Sequence, residues 1–274
     1  MGSILNNLSA MAASRQLTIT GQNLQNTITQ LTTGKRINTA ADDPAGLAIA
    51  NKLGADIKIA GQAQRNANDG VSYMQVADGA LDEVTNLLTR AAQLAQQAQT
   101  GTISNSNRAN LDAEFQNIVS TLVNIGTNTN FNGQAIFSAA SVPLVISAGD
   151  YGLITLNMQS VADTATSALG LTEATNNLNT TSSAASVATL LATALASVST
   201  MRASIGASEA ELNDTSAILG IQVQNFTAAQ SGIEDANIAN DVVNLTKFQI
   251  LNQSGTSALA KSNTAAQQVL ALLQ

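Results

Sequence analysis

Apolar residues recur at helical spacing along most of this chain. Ile4, Leu8 and Met11 step by four and three, and Leu17, Gly21, Leu24, Ile28 and Leu31 repeat the step. Such a seam predicts a helix that packs lengthwise on another helix, as in a coiled coil. Gly34 follows where a C-cap glycine belongs, and Asp42 and Asp43 precede Pro44 as an N-cap precedes a first-turn proline. The opening stretch therefore predicts two helices and a joint between them.

A second run starts near Pro44 with Leu47, Ala50, Leu53 and Ile57, and continues through Val71, Met74, Ala77, Leu81, Val84, Leu88, Ala91, Ala95 and Ala98. Unbroken, it would extend on the order of 80 Å. "NANDG" at 66–70 reads as a polar stretch between helical segments, since it lacks the alternate spacing and closing Glu of a calcium loop. "TGTISNSN" at 100–107 predicts a turn, a third helix carries Leu111, Phe115, Ile118, Leu122 and Ile125, and "GTNTNFNG" ends it. "PLVIS" and "LITLNM" around "AGDYG" predict a hairpin near 142–158, the only convincing β signal. Residues 162–186 read mostly as loop. Helical period returns at Val187, Leu191, Ala194, Val198, Met201, Ile205, Leu212 and Leu219, and a last run holds Ile238, Val242, Leu245, Leu259, Ala266, Leu270 and Leu273. The fold class is mainly α, with long antiparallel helices.

Composition changes this picture in one respect. The 274 residues are 45% hydrophobic but only 11% charged, against about a quarter in ordinary globular chains, which predicts a surface hidden between copies. Both ends are nearly uncharged, so each terminal helix would be marginal alone and would fold when assembly supplies apolar partners. A net charge of -7 without basic clusters excludes a nucleic-acid binder. The apolar seams lack the Lys and Arg of a membrane-surface helix, and "VATLLATALASVSTM" is too short and too Ser/Thr-rich to span a bilayer, so no membrane partner is expected. With no His and no Cys, no catalytic, cofactor-binding or metal-ligating set emerges, and an enzyme is not expected. The acidic pairs Asp42-Asp43, Asp82-Glu83 and Glu234-Asp235 are adjacent on the chain and point apart on a helix, so they read as solvated or contact residues. The first residues lack the charged and apolar regions of a cleaved signal peptide.

The segments "LTTGKRINTAADDPAGLAIANKL", "QAQRNANDGVSYMQVADGALDEVTNLLTRAAQLA", "NTNFNG" and "IEDANIANDVVNLTKFQILNQSGTSALAKSNTAAQQVLALLQ" resemble bacterial flagellin, in order and with matching spacing, over roughly residues 1–137 and 200–274. The resemblance implies a structural subunit of the swimming filament, in a minimal form without large outer domains. It implies an inner coiled-coil domain from residues 1–45 and 234–274, with a spoke at about 32–46, and a rod domain over 46–233. Polymerisation seams would include Leu17, Leu24, Ile28, Leu31, Leu259, Leu270 and Leu273, and the spoke contacts would be Arg36, Asp42 and Asp43. The resemblance further implies type III export to an extracellular filament, with copies of itself, an export chaperone, and junction and cap proteins as partners. Arg90, Leu94 and Glu114 match the positions at which the family meets Toll-like receptor 5 of a host, although Ala91, Ala92 and Gln93 replace a larger, more charged segment. A hook-filament junction protein, which shares both ends with flagellin, is the alternative.

Overall fold

The computed structural model describes residues 7–137, 144–147, 153–156, 171 and 176–271. Its elements are α1 (Leu8–Thr33), α2 (Pro44–Ala98), α3 (Asn105–Asn128), β1 (Asn130–Phe131), β2 (Gln134–Ala135), β3 (Leu144–Ser147), β4 (Leu153–Leu156), α4 (Thr181–Glu234) and α5 (Ile238–Ala271). The chain divides into two compact units, one from Met1–Ile57 with Gln224–Gln274 and the other from Lys58–Val223. Both limits fall inside long helices, past the joint at which the sequence divides the domains.

The second unit holds a core contributed mainly by α2, α3 and α4, mostly aliphatic, with Phe115 and Phe137 fully buried in it. α2 and α4 run antiparallel: Gln64 donates to the Ser216 carbonyl, Gln75 to Glu209, and Gln99 to the Ala184 carbonyl, so numbers rise on one helix as they fall on the other. Ala67, Ala77, Ala91, Ala95 and Ala98 of α2 are fully shielded beside Leu81, Val84 and Leu88. Alternating small and large residues at steps of three and four lets the helices approach closely and interlock. The buried residues of α4, from Val187 through Leu219, follow the spacing read from the sequence. Contrary to the length read from the sequence, an apolar stretch of α4 is long enough by length and composition to cross a membrane, and a third of it is buried inside the structure. Its stripe faces helices.

Polar groups pin the same unit. Arg202 of α4 forks between Asp78 and Asp82 of α2 at 2.8 Å to each. The Asp78 hydrogen bond leads the interactions that raise the guanidinium pKa further, so Arg202 stays charged at any working pH. On α3, Asp112 accepts from the Leu178 amide at 2.7 Å, and Gln116 donates to the Asn176 carbonyl at 2.8 Å. These bonds hold residues 176–178 on α3 and bury Leu178. Thr180 then caps α4, its hydroxyl accepting from the Ser183 amide.

Three expectations need correction. "NANDG" lies within continuous α2, because Ala63, Ala67 and Gly70 put a small-residue stripe into the interior and leave Asn68 and Asp69 outside. Tertiary packing overrides the low propensity of Asn and Gly. A second hairpin precedes the expected one: β1 and β2 pair antiparallel around Asn132 and Gly133, whose φ values of 51° and 80° place both in the left-handed region. That is the chemistry of an Asn-Gly type I′ turn, and the "NFNG" motif carries its signal. The hairpin brings Phe131 edge-on to Tyr73, with ring centroids 5.8 Å apart. Lastly, α4 begins at Thr181, inside the stretch read as loop. The expected hairpin is present as β3 paired with β4, Leu144 opposite Leu156; the "AGDYG" turn between them lies outside the described residues.

Arg108 was not singled out by its sequence context, yet it closes the α2–α3 turn. Its buried guanidinium donates to the carbonyls of Ala98 at 2.8 Å, Ile103 at 3.2 Å and Thr100 at 3.4 Å, and to Asn105 Oδ1 at 2.8 Å. The charge sits at the C-terminal end of α2, where free carbonyls and the helix dipole favour a cation. Arg108→Met keeps the length and removes every donor. Urea unfolding followed by circular dichroism should show a loss of about 1–3 kcal/mol, the cost of leaving buried acceptors unpaired, with Arg108→Lys in between. An unchanged midpoint in both variants would refute this role.

Candidate assembly interface

In the first unit α1 and α5 form an antiparallel pair. Asn7 caps α1 by accepting from the Ala10 amide, and its amide nitrogen donates to the Ser262 carbonyl at 3.1 Å. Further along, a Cβ added at Gly255 would lie 3.1 Å from Leu17 Cδ1. The shielded positions of α1 include Ala10, Ala13, Leu17, Thr20, Leu24, Thr27 and Leu31, and those of α5 include Asp241, Leu245, Phe248, Asn252, Gly255, Leu259 and Ser262. Both sets alternate steps of three and four, the seam of a two-stranded coiled coil.

This seam differs from the one read from apolar residues alone. Leu17, Leu24 and Leu31 lie in it, but the positions between them are the buried threonines Thr20 and Thr27, with Ile28 displaced to the flank and 46% exposed. Thr27 is tolerated inside because its hydroxyl donates to the Asn23 carbonyl of its own helix at 2.9 Å. Leu259 is half-buried against α1; Leu273 and the side chain of Leu270 lie outside the described residues. With Thr, Gly, Ala and Ser interleaved among the leucines of the contact, the helices come close, and other large apolar residues face out. Leu8 is 77% exposed, Met11 64%, Val243 66% and Ile250 62%. Full burial of one such side chain contributes about 1.5–3 kcal/mol, so the exposed apolar side chains on the two helices are a substantial driving force for further burial.

The joint combines the charged residues at 35–43 with pairing of the backbone. Gly34 adopts φ 70° as the α1 C-cap, and its amide bonds to the Gln30 carbonyl. Two antiparallel backbone bonds then tie this joint to the turn between α4 and α5: the Arg36 amide donates to the Glu234 carbonyl at 2.6 Å, and the Ala236 amide to the Gly34 carbonyl at 2.9 Å. Lys35 Nζ pairs with Glu234 at 2.5 Å, and Arg36 donates to the Ile233 carbonyl at 2.8 Å while standing 3.9 Å from Asp43. Asp43 caps α2, accepting from the Gly46 amide at 2.9 Å. A Cβ at Gly46 would lie 2.5 Å from Asp43 Oδ2 and 2.8 Å from Ile37 Cδ1, so only glycine allows buried Ile37 to close over this first turn.

Asp42 Oδ2 accepts from the backbone amides of Thr39 at 2.8 Å and Asn38 at 3.1 Å. These bonds, Thr39 foremost, hold its carboxyl below the ordinary aspartate pKa. Arg36, Asp42 and Asp43, expected at the spoke, all lie within this joint.

Arg90 and Glu114 are also brought together, Arg90 donating to Glu114 Oε1 through two nitrogens at 2.9 and 2.7 Å across α2 and α3. Leu94, expected beside them as a surface contact, is 1% exposed and belongs to the core. It sits on the inward stripe between Ala91 and Ala95, so only the ion pair is presented to solvent. Among the described residues no group of His, Cys, Asp or Glu has the arrangement of a metal site.

The lowered pKa of Asp42 has a definite sign. The stabilisation is present above the unfolded-state pKa and is lost as pH falls through the folded one. In an NMR titration of the full chain, the Asn38 and Thr39 amide protons should shift together with a midpoint below that of an ordinary aspartate. Asp42→Asn should abolish the shift, and a midpoint at or above the ordinary value would contradict the bonding described.

Comparison with known proteins bears on both units. Residues 4–141 match the bacterial flagellin N-terminal helical region, and residues 188–273 match the bacterial flagellin C-terminal helical region. The chain is 36% identical to a flagellin of Halalkalibacterium halodurans and 34% identical to flagellin FlaB1 of Treponema pallidum (strain Nichols), in each case over 99% of both chains. It is 36% identical to the flagellar filament 30.7 kDa core protein of Treponema maltophilum over 98% of this chain and 99% of that one. Among solved structures, the crystal structure of Bacillus cereus flagellin superposes with a TM-score of 0.50 at 28% identity, covering 61% of this chain and 94% of that one. Terminal helices that pair through a small-residue seam, a helical core closed by an Asn-Gly hairpin, and near full-length identity to filament subunits together make this chain a member of the bacterial flagellin family.

Proposed function

We propose that the chain is the structural subunit of a bacterial flagellar filament, polymerising with copies of itself for swimming motility. The observation that carries this reading is the exposure of large apolar side chains on the outer faces of α1 and α5, Leu8 and Met11 on one helix and Val243 and Ile250 on the other. An isolated two-helix pair with so thin a seam is marginal in water, and neighbouring copies supply the missing apolar partners. Folding of the termini and growth of the polymer are then one process. Leu17, Leu24, Ile28, Leu31, Leu259, Leu270 and Leu273 act as the seam and its flanks, and Arg36, Asp42 and Asp43 brace the spoke. The role is mechanical, as befits a structural family.

The partner set follows the family: copies of itself, an export chaperone, and junction and cap proteins, with delivery through the type III channel to an extracellular filament. An absence of Cys suits a chain threaded unfolded, since it carries no cross-links. Toll-like receptor 5 of a host would meet this chain through the exposed Arg90–Glu114 pair, with Leu94 supporting the surface from beneath. The junction-protein reading is the weaker one, because the relatives compared span the whole chain and bear the names of filament proteins.

Two variants separate assembly from folding. Ile250→Asp places a charge on an exposed position, so circular dichroism should match the parent while seeded polymerisation, read by pelleting and electron microscopy, is lost. Leu24→Asp places the charge in the seam and should abolish polymer, while the helix of the second unit remains. Normal filaments from Ile250→Asp would sink the proposal.

A further inference from the structure

The described methionines differ sharply in environment. Met74 and Met201 are 1% and 8% exposed inside the core of the second unit, whereas Met11 is 64% exposed on α1, a turn from Leu8 on its outward surface. We infer that Met11 is an oxidant-sensitive position that controls whether the free subunit can enter a polymer. The inference rests on the filament reading, because the occupant of the outward face of α1 is taken to be a second copy of this chain.

The chemistry needs a hydroperoxide as co-reactant, hydrogen peroxide being the simplest. A lone pair of Met11 Sδ attacks one peroxide oxygen, an S–O bond forms and the O–O bond breaks. Sulfur is oxidised by two electrons, and the other oxygen leaves as water after proton transfer within the peroxide. The product sulfoxide is polar and a strong acceptor in place of a soft apolar thioether. In the free subunit water satisfies it, so the folded chain is little disturbed. Covered by an apolar surface of a neighbour, the sulfoxide oxygen would be dehydrated without a donor. The cost falls on the assembled state alone. The same geometry makes the site self-protecting, because a neighbour that covers Leu8 and Met11 also excludes peroxide.

The full-length chain, treated with dilute hydrogen peroxide as monomer, should by peptide mapping convert Met11 severalfold faster than Met74 or Met201. Its circular dichroism should stay near that of the untreated protein while seeded growth drops severalfold, and methionine sulfoxide reductase should restore growth. Met1 and Met158 lie outside the described residues, so Met11→Leu is the deciding control: compared with its own untreated sample, it should keep its growth after peroxide. Equal loss in Met11→Leu, equal oxidation of Met11 and the buried methionines, or full growth of chains oxidised at Met11 would each overturn the inference. An untreated parent that fails to extend seeds would overturn the filament reading and the assembly consequence with it, while the order of oxidation would still decide whether Met11 is the sensitive position.

Discussion

A pair of helices can bury only one stripe of each, and in this chain the stripe that α1 and α5 share is made largely of small and polar side chains. Thr20, Thr27, Gly255 and Ser262 stand where a self-sufficient coiled coil would place leucine or isoleucine. Close approach at Gly255 is tight against Leu17, so that a side chain there would require Leu17 to give by a few tenths of an ångström. The apolar surplus of the termini is therefore turned outward. Most of what distinguishes the first unit follows from that distribution.

The second unit solves the opposite problem. α2 and α4 each alternate alanine with larger aliphatics on a single buried face, and the polar residues that interrupt the pattern are paired at the rim or cap a turn. Arg202 with Asp78 and Asp82, Asp112 with Leu178, and Arg108 with the end of α2 specify register and closure more than they add stability. Exposed ion pairs contribute little, whereas the buried Arg108 would be costly to lose. A self-contained core of this kind suits a unit that stays folded whether or not neighbours are present.

Between α1 and α2, the joint works by backbone geometry. Gly34 turns the chain through a left-handed residue, Asp42 and Asp43 satisfy free amides, and the strand-like pairing of Lys35 with Asp235 ties one helix connection to the other. The charges gathered at residues 35–43 serve this closure first. Arg36 is spent mainly on the Ile233 carbonyl and stands only loosely beside Asp43.

Most helix positions, the Gly34 stop, the Asp43–Pro44 start and the buried faces of α2, α3 and α4 were legible in the sequence, because period, caps and residue size are local properties of a chain, whereas the start of α4 and the continuity of α2 through "NANDG" were not. The Asn-Gly hairpin was legible too, had the "NFNG" turn been weighed as a turn within strands. Three features needed the tertiary structure. Whether Ile28 or Thr27 faces α5 depends on the rotation of α1 against its partner, which apolar spacing alone leaves ambiguous when both residues fall near one face. Leu94 and Arg90 sit on the same helix, and only packing decides that one is core and the other surface. Arg108 finds its partners among backbone carbonyls, which every sequence has and no sequence pattern marks. The chain itself determines which residues prefer to be buried; the neighbours brought close by folding decide which of them are.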